Sequence, residues 1–263
     1  MPLKKIFIAV LYKTSALDSL TVNSFTNLKL ADNPNNYFVV WDNSPDKINS
    51  ESDVKKLLNT ENMEFIHTPE NTALSKVYNY CLDKYDFCDL ICLFDQDSEI
   101  RQKDYDLYID KVVTENPNIN IFLPKIYSKE KLYSPGRFWF FKGWHYKELS
   151  YGIHSDKFYT AVMSGCIARI QFLKANKIRF NEDLTLYGID TSFFIDSRKF
   201  DSYYFVMETD FRHNLSEESL TGQKKKEQIK KYIKAYKIIA KKNRISILII
   251  NLYELALRIL GKI

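Results

Sequence analysis

Glycine is scarce in this chain, and its distribution excludes two common nucleotide-binding motifs. An average content of about 7% would give roughly 18 glycines, whereas the chain of 263 residues has 7, all at or after Gly136. A Rossmann dinucleotide fingerprint needs glycines two and then three residues apart, and a P-loop needs two glycines five apart. No pair of glycines here has either separation. The sequence therefore fits neither an NAD-type Rossmann enzyme nor a P-loop NTPase.

Cysteine and histidine are also few, and their spacing matches no familiar zinc site. The four cysteines include no C-x-x-C pair, and the four histidines form no H-E-x-x-H motif. We expect buried, reduced thiols of a cytoplasmic protein. The N-terminus lacks the basic segment, apolar segment and small-residue cleavage site of a signal peptide, and this also favours the cytoplasm.

The net charge of +5 is unevenly distributed along the chain. Residues 224–263 contain 12 Lys/Arg and two Asp/Glu, a net charge of +10, so residues 1–223 carry −5. A basic segment raises nucleic-acid binding as an alternative, but these lysines do not alternate with aromatic residues that stack on bases. We predict a folded domain over residues 1–222, followed by two C-terminal helices over 223–263.

Apolar runs that alternate with helical patterns indicate an α/β fold, a mixed sheet with a parallel core flanked by helices. The runs predict strands over 5–11, 37–41, 64–67, 89–94, 119–124, 159–170 and 203–207. Helical patterns extend from candidate caps Thr14 and Ser15 to about Leu30, and over 72–85, 104–115 and 191–200. Residues 127–157 show no periodicity but many aromatic residues, which predicts an irregular lid or binding loop.

Two of the apolar runs end on carboxylates, which is where ligands bind in open α/β sheets. Asp42 follows one run, and Asp95 and Asp97 form a D-x-D after another. Such acids bind a nucleoside or a hard divalent cation, although a solvated turn is also rich in Asp. Aspartyl phosphatases of the haloacid dehalogenase type carry D-x-D-x-[TV] instead, and Glu99 occupies the last position here.

Several short motifs follow one another in a characteristic order. They are Val10-Leu11-Tyr12, Val39 to Ser44, Asn71 with Asn79, Leu93 to Ser98, Ser164-Gly165-Cys166, Phe180 to Leu184, Gly188 to Thr191, and Arg212-His213-Asn214. Over roughly residues 5–216 this order resembles family 2 glycosyltransferases with the GT-A fold. The D-Q-D-S segment is similar to that of bacterial rhamnosyltransferases and galactofuranosyltransferases. Ala73 replaces the family's usual glycine in the N-x-G segment.

The resemblance implies a UDP- or dTDP-linked sugar donor and a divalent cation, Mn²⁺ or Mg²⁺. Asp97 is then the expected metal ligand, and Asp95 contacts the ion or the donor's ribose. His213 would supply a third metal or diphosphate contact. Arg212 would pair with phosphate, or else lie on the surface as an ordinary arginine.

The same resemblance implies which residues bind the nucleoside and which one performs proton transfer. Asp42 is expected on the nucleobase or ribose, with Asn71 also in the donor site; the alternative role of Asp42 is to cap its own turn through Asn43-Ser44-Pro45. Asp190 matches the family's general base, and its alternative role is the N-cap of the following helix. A base opposite the leaving group gives inversion at the anomeric carbon.

The acceptor implied by the resemblance is a surface glycan, or a polyprenol-linked form of it. Trp139, Trp144, His145 and Tyr146 are candidates to stack on a sugar or shape the acceptor cleft, or they simply pack in the core. The basic and apolar C-terminal helices predict peripheral binding to the inner face of the cell membrane. The alternatives are packing on the domain or a homodimer contact. A non-catalytic nucleotide-sugar-binding or scaffold protein of the same fold is the other functional class.

Overall fold

The computed structural model describes residues 2–128, 130–212, 222–241 and 243–263. Its strands are β1 (Lys5–Leu11), β2 (Asn36–Asp42), β3 (Met63–His67), β4 (Leu90–Asp95), β5 (Ile121–Ser128), β6 (Lys131–Ser134), β7 (Gly136–Trp139), β8 (Lys142–His145), β9 (Gly152–Ser155), β10 (Tyr159–Thr160), β11 (Ile167–Arg169) and β12 (Tyr203–Arg212). Its helices are α1 (Leu20–Asn27), α2 (Glu51–Leu58), α3 (Leu74–Lys84), α4 (Tyr105–Glu115), α5 (Ile170–Ala175), α6 (Ile189–Ser197), α7 (Gly222–Ile239) and α8 (Arg244–Ile259).

The central feature is a nine-stranded mixed sheet with the order β3-β2-β1-β4-β11-β5-β12-β9, to which β6 adds by pairing with β5. Strands β1 to β4 are parallel to one another, and β5 is parallel to β12. Strand β11 runs antiparallel between β4 and β5. The α/β class with a mixed sheet flanked by helices is confirmed, and the carboxyl ends of β1 to β5 and β12 share one edge.

The register places the strand-end acids along this edge. Leu11 at the end of β1 lies opposite Asp42 of β2, and the neighbouring Val10 lies opposite Asp95 of β4. Adjacent strands are about 4.8 Å apart, so the backbones of Asp42 and Asp95 are separated by about 10 Å across β1. The next residue, Tyr12, lies between them on the chain leaving β1.

Alternate side chains of the central strands point into two hydrophobic layers, one on each face of the sheet. Ile6 and Ile8 of β1 pack in the layer that contains α3 and α6. Phe7 and Ala9 point the other way, into the layer with α1, α2 and α4. Burial on both faces explains why these strands are continuous apolar runs rather than alternating ones. The four cysteines are buried free thiols.

The prediction of an irregular segment over residues 127–157 is wrong. This segment contains β6 to β9, and β7 pairs with β8 and β10 in a separate three-stranded antiparallel sheet. At Gly136 the strands approach so closely that an added Cβ would lie 2.6 Å from the Trp144 carbonyl oxygen. The strands are only four residues long, so no period emerges from the sequence.

Three other boundaries differ from the sequence prediction. The first helix is capped by Ser19 rather than by Thr14 or Ser15, because the Ser19 hydroxyl accepts from Val22 N and donates to the Gln96 carbonyl. The predicted strand over 159–170 is broken into β10 and β11 with a turn at Gly165, whose φ is +77°. Helix α6 begins at Ile189 instead of residue 191.

Helix α7 packs against the sheet domain, and α8 packs on α7. Ala235 of α7 is buried in the same hydrophobic layer as α3 and α6. On another side of α7, Ile233 forms a small cluster with Ile250 and Leu257 of α8. The division of the chain at residue 222 stays a prediction, but the apolar face of α7 is covered by the domain that precedes it.

Candidate active site

Asp42 organises the loop that follows β2. It is fully buried, and its Oδ1 and Oδ2 accept hydrogen bonds of 2.9 Å from Ser44 N and Asn49 Nδ2. Its carbonyl oxygen accepts from Thr68 N at the end of β3, and the Thr68 carbonyl in turn accepts from Asn71 N. Asn71 lies exposed in this turn with a φ of +55°. The two residues predicted for the donor site therefore share one loop cluster at the edge of β2 and β3.

The D-x-D turn after β4 is held from three sides by other segments. Thr21 at the start of α1 donates its hydroxyl to the Asp95 carbonyl and accepts from Ser98 N at 3.1 Å. Ser164 accepts from Asp95 N at 3.2 Å, and Gln96 accepts from Tyr12 N at 2.7 Å through its side-chain oxygen. These bonds fix the backbone from which the carboxylates of Asp95, which is half-buried, and Asp97, which is exposed, project.

Asp190 lies in the first turn of α6. The helix is capped by Gly188 with a φ of +79°, so Asp190 is not the N-cap that the alternative interpretation required. Its Oδ1 accepts a 2.8 Å hydrogen bond from Thr191 N. The side chain is half-buried, and the positive end of the helix dipole favours a negative charge at this position.

Asp95 and Asp190 meet in one cavity although they are far apart in the sequence. Both line a space of about 470 Å³. Burial, followed by the negative charges of Asp95 and Asp190, raises the pKa of the buried Tyr78 hydroxyl well above its ordinary value. The sequence predicted these two acids separately, and the fold brings them together.

The second sheet and α7 contribute to other parts of the cavity wall. Trp144 and His145 of β8 line the cavity, whereas Trp139 is 55% exposed and Tyr146 donates to Asp156 Oδ2 at 2.6 Å. Of the four aromatic candidates, two therefore contribute to the wall.

Helix α7 supplies cavity residues to which the sequence analysis gave no role. Tyr232 and Tyr236 line the cavity beside Tyr187, and the ring centroids of Tyr187 and Tyr232 are 4.7 Å apart. The two tyrosines are four residues apart and lie on the apolar face of α7. This helical spacing in the sequence indicates that the face is covered, but it does not indicate that the face borders a cavity.

Helix α7 packs closely against Gly188, which lies two residues before the candidate base Asp190. A Cβ added to Gly188 would lie 3.2 Å from Ala235 Cβ and 3.2 Å from Ile239 Cδ1. Lys241, just beyond α7, forms an ion pair with Asp183. The position of α7 therefore bears directly on the segment that carries Asp190.

Asn79 holds the segment that leads towards α6. It is buried, its Nδ2 donates to the Phe180 carbonyl at 2.9 Å and to Glu182 Oε1 at 2.8 Å, and its Oδ1 accepts from Phe180 N. Asn79 and the motif over Phe180 to Leu184, which are far apart in the sequence, are thus in direct contact in the fold.

Of the three residues expected to contact a divalent cation, the structure describes two, Asp95 and Asp97. The described ranges contain no group of three or more His, Cys, Asp or Glu that would hold a metal by itself. His213 lies outside the described residues, and Arg212 is the last residue of β12. Asp95 and Asp97 place two carboxylates on one turn, and carboxylate oxygens are the type of ligand that Mg²⁺ or Mn²⁺ takes when substrate phosphates and water complete its shell.

No protein-family model matches the chain, and the search of curated protein sequences gives no match. Solved structures do match. S. aureus TarS 1–349 has 17% identity and a TM-score of 0.58, over 91% of this chain and 73% of that one. Its complex with UDP-GlcNAc has 18% identity and a TM-score of 0.57, over 90% and 66%. GalNAc-T7 with UDP, GalNAc and Mn²⁺ has 9% identity and a TM-score of 0.65, over 91% and 48%. The fold of this chain is the GT-A fold of glycosyltransferases.

Proposed function

We propose that this chain is a metal-dependent, inverting glycosyltransferase that transfers a sugar from a UDP- or dTDP-linked donor to a hydroxyl of a surface-glycan acceptor. The shared cavity carries the proposal: Asp95 from the end of β4 and Asp190 from the start of α6 line the same space of about 470 Å³. That volume lies within the range of small-molecule sites, about 300–1,000 Å³. A strand-end acid and a helix-start acid are thus available to one bound sugar.

The donor proposal is supported by what similar structures bind. TarS 1–349 is known in complex with UDP and with UDP-GlcNAc, and the GalNAc-T7 structure holds UDP, GalNAc and Mn²⁺. In this chain the loops that carry Asp42 and Asn71 lie on the β2 and β3 side of the D-x-D turn, and the cavity extends to the other side of Asp95. The nucleoside would occupy the first side, and the sugar the second.

Asp95 and Asp97 would hold the divalent cation on the diphosphate, as Mn²⁺ in the GalNAc-T7 structure suggests for this fold. When bound, the ion neutralises the charge that develops on the departing diphosphate. Thr21, Ser164 and Tyr12 hold the D-x-D turn, so the backbone that carries the two carboxylates is in place before substrate arrives. Preorganised charge of this kind needs little rearrangement during the reaction.

Asp190 would take the proton from the acceptor hydroxyl as that oxygen attacks the anomeric carbon. It comes from a different element than the D-x-D carboxylates, so one acid serves the nucleophile while the others serve the leaving group. A base on the face opposite the leaving group gives inversion. The rings of Trp144 and Tyr232 in the same wall offer apolar surfaces on which the faces of sugar rings pack.

Nucleoside diphosphate release from a panel of donors tests the proposal. UDP-GlcNAc, other UDP-hexoses and dTDP-rhamnose are each incubated with the full chain and Mn²⁺, Mg²⁺ or EDTA, and water serves as a slow acceptor. We expect release from one donor class, dependent on the ion and lost in Asp95→Asn. A donor that raises the melting temperature without release under any condition would instead indicate a non-catalytic nucleotide-sugar-binding protein.

A further inference from the structure

Helix α8 turns one apolar face towards solvent along its whole length. One side of α8 is buried, with Ile250 and Leu257 packed on Ile233 of α7. The exposed face carries an apolar row at spacings of three and four residues, here called the outer stripe. Its members are 54–77% exposed: Ile245, Leu248, Leu252, Leu255 and Ile259. Five large apolar side chains in one exposed row are unusual for a protein surface and mark a site of interaction.

The charged residues of α7 and α8 are almost all positive. Five exposed lysines of α7 make no ion pair within the described residues: Lys224, Lys225, Lys230, Lys231 and Lys234. The one acid of α8, Glu254, pairs with Lys237 and Arg258, and these hydrogen bonds lower its pKa although its partial burial opposes them. The α7 and α8 segment is therefore strongly cationic, and the one acid of α8 is held in ion pairs.

A second copy of the chain fits this face less well than a negatively charged surface does. The outer stripe has heptad spacing, but the flanking positions Ile249, Asn251, Ala256 and Arg258 offer no complementary pairs of charges of the kind that set coiled-coil pairing. Two copies would also bring together two segments of net charge +10 each. Among the described residues, no helix has the length and hydropathy required to cross a bilayer.

We propose that the outer stripe of α8 and the exposed lysines of α7 dock the protein on the anionic phospholipid surface of a membrane. The apolar row enters the boundary between headgroups and acyl chains while the lysines contact the lipid phosphates. This assigns the apolar membrane contact to α8, because the apolar face of α7 is already used against the domain and the cavity. The proposal does not depend on the glycosyltransferase activity.

Co-sedimentation of the full chain with vesicles tests the role of the stripe. We expect binding to vesicles of phosphatidylglycerol and phosphatidylcholine, weaker at higher NaCl, and little binding to phosphatidylcholine alone. Leu248→Gln with Leu252→Gln should lower the partition coefficient about 10-fold or more. Leu17→Gln with Leu107→Gln is the matched control, since these leucines are 63% and 67% exposed elsewhere on the surface, and it should bind as the wild type does.

A charge-matched pair of variants tests the lysines. Lys230→Glu with Lys234→Glu should weaken binding to anionic vesicles about 10-fold or more, whereas Lys103→Glu with Lys111→Glu, exposed residues before and on α4, should not. Melting temperatures of all variants confirm that the chains are folded. Equal binding of the stripe variant and the wild type overturns the proposal. So does light scattering that shows a dimer, lost in the stripe variant, in a protein that does not bind vesicles.

Discussion

Replacing Asp190 by asparagine removes its capacity to accept a proton while keeping its shape and its local hydrogen bond. Asparagine has nearly the same shape, and its side-chain oxygen retains an acceptor for Thr191 N, now 2.8 Å from Asp190 Oδ1. The first turn of α6 should therefore persist, and we expect the melting temperature to change by no more than about 2 °C, the shift from about 0.5 kcal/mol in a chain of this size. The amide cannot accept the proton of the acceptor hydroxyl.

The expected loss in kcat for Asp190→Asn is about 10²- to 10⁴-fold, the usual contribution of a general base, or about 2.7–5.5 kcal/mol of transition-state stabilisation. Asp196→Asn is the control, because Asp196 lies on the same helix but is paired with Lys199 at the surface. Nucleoside diphosphate release measures kcat, and calorimetry measures donor affinity. Unchanged kcat, or a collapse of donor affinity with kcat intact, would refute the assignment of Asp190 as the base.

Three further substitutions test other parts of the structure. Asp97→Asn, or EDTA on the wild type, should lower turnover at least about 10²-fold, while Glu99→Gln in the same loop should leave it intact; full activity of the Asp97 variant in EDTA contradicts a metal role. Gly165→Ala should destabilise the fold by about 3 kcal/mol, because an added Cβ would lie 2.1 Å from the Phe211 ring and φ is +77°; an unchanged melting temperature speaks against this packing. Lys5→Met should cost about 3 kcal/mol in urea denaturation, since the fully buried ammonium bridges two carboxylates; a more stable variant would show that apolar packing replaces the ion pairs.

The strands that build the sheet could be predicted well because burial on both faces leaves a strong signal. The run over residues 5–11 is β1, and the run that ends at Asp95 is β4. Their carboxyl ends then follow from parallel pairing, which puts Asp42 and Asp95 at one edge. Nothing in the sequence, however, indicates that Asp42 is fully enclosed, since that depends on Asn49 folding back over it.

The remaining errors occurred where distant residues determine local structure. Ser19 caps α1 because its hydroxyl is held by a hydrogen bond to the carbonyl oxygen of Gln96, which lies far along the chain. The short strands β7 and β8 depend on the close approach at Gly136 rather than on any local period. For the candidate site, the sequence predicted the acids but not the wall supplied by Tyr232, because an amphipathic pattern carries no information about its partner.

Helix α7 lines the cavity on one side and packs against α8 on the other, so the two sites are thermodynamically coupled. Ala235 and Ile239 contact Gly188 on one side, and Ile233 supports α8 on another. A ligand in the cavity that shifts α7 changes the energy of whatever α8 contacts. Linkage requires reciprocity: if docking of α8 strengthens acceptor binding by some factor, the acceptor strengthens docking by the same factor. Occupancy of the cleft would thereby set the residence time of the protein on its surface.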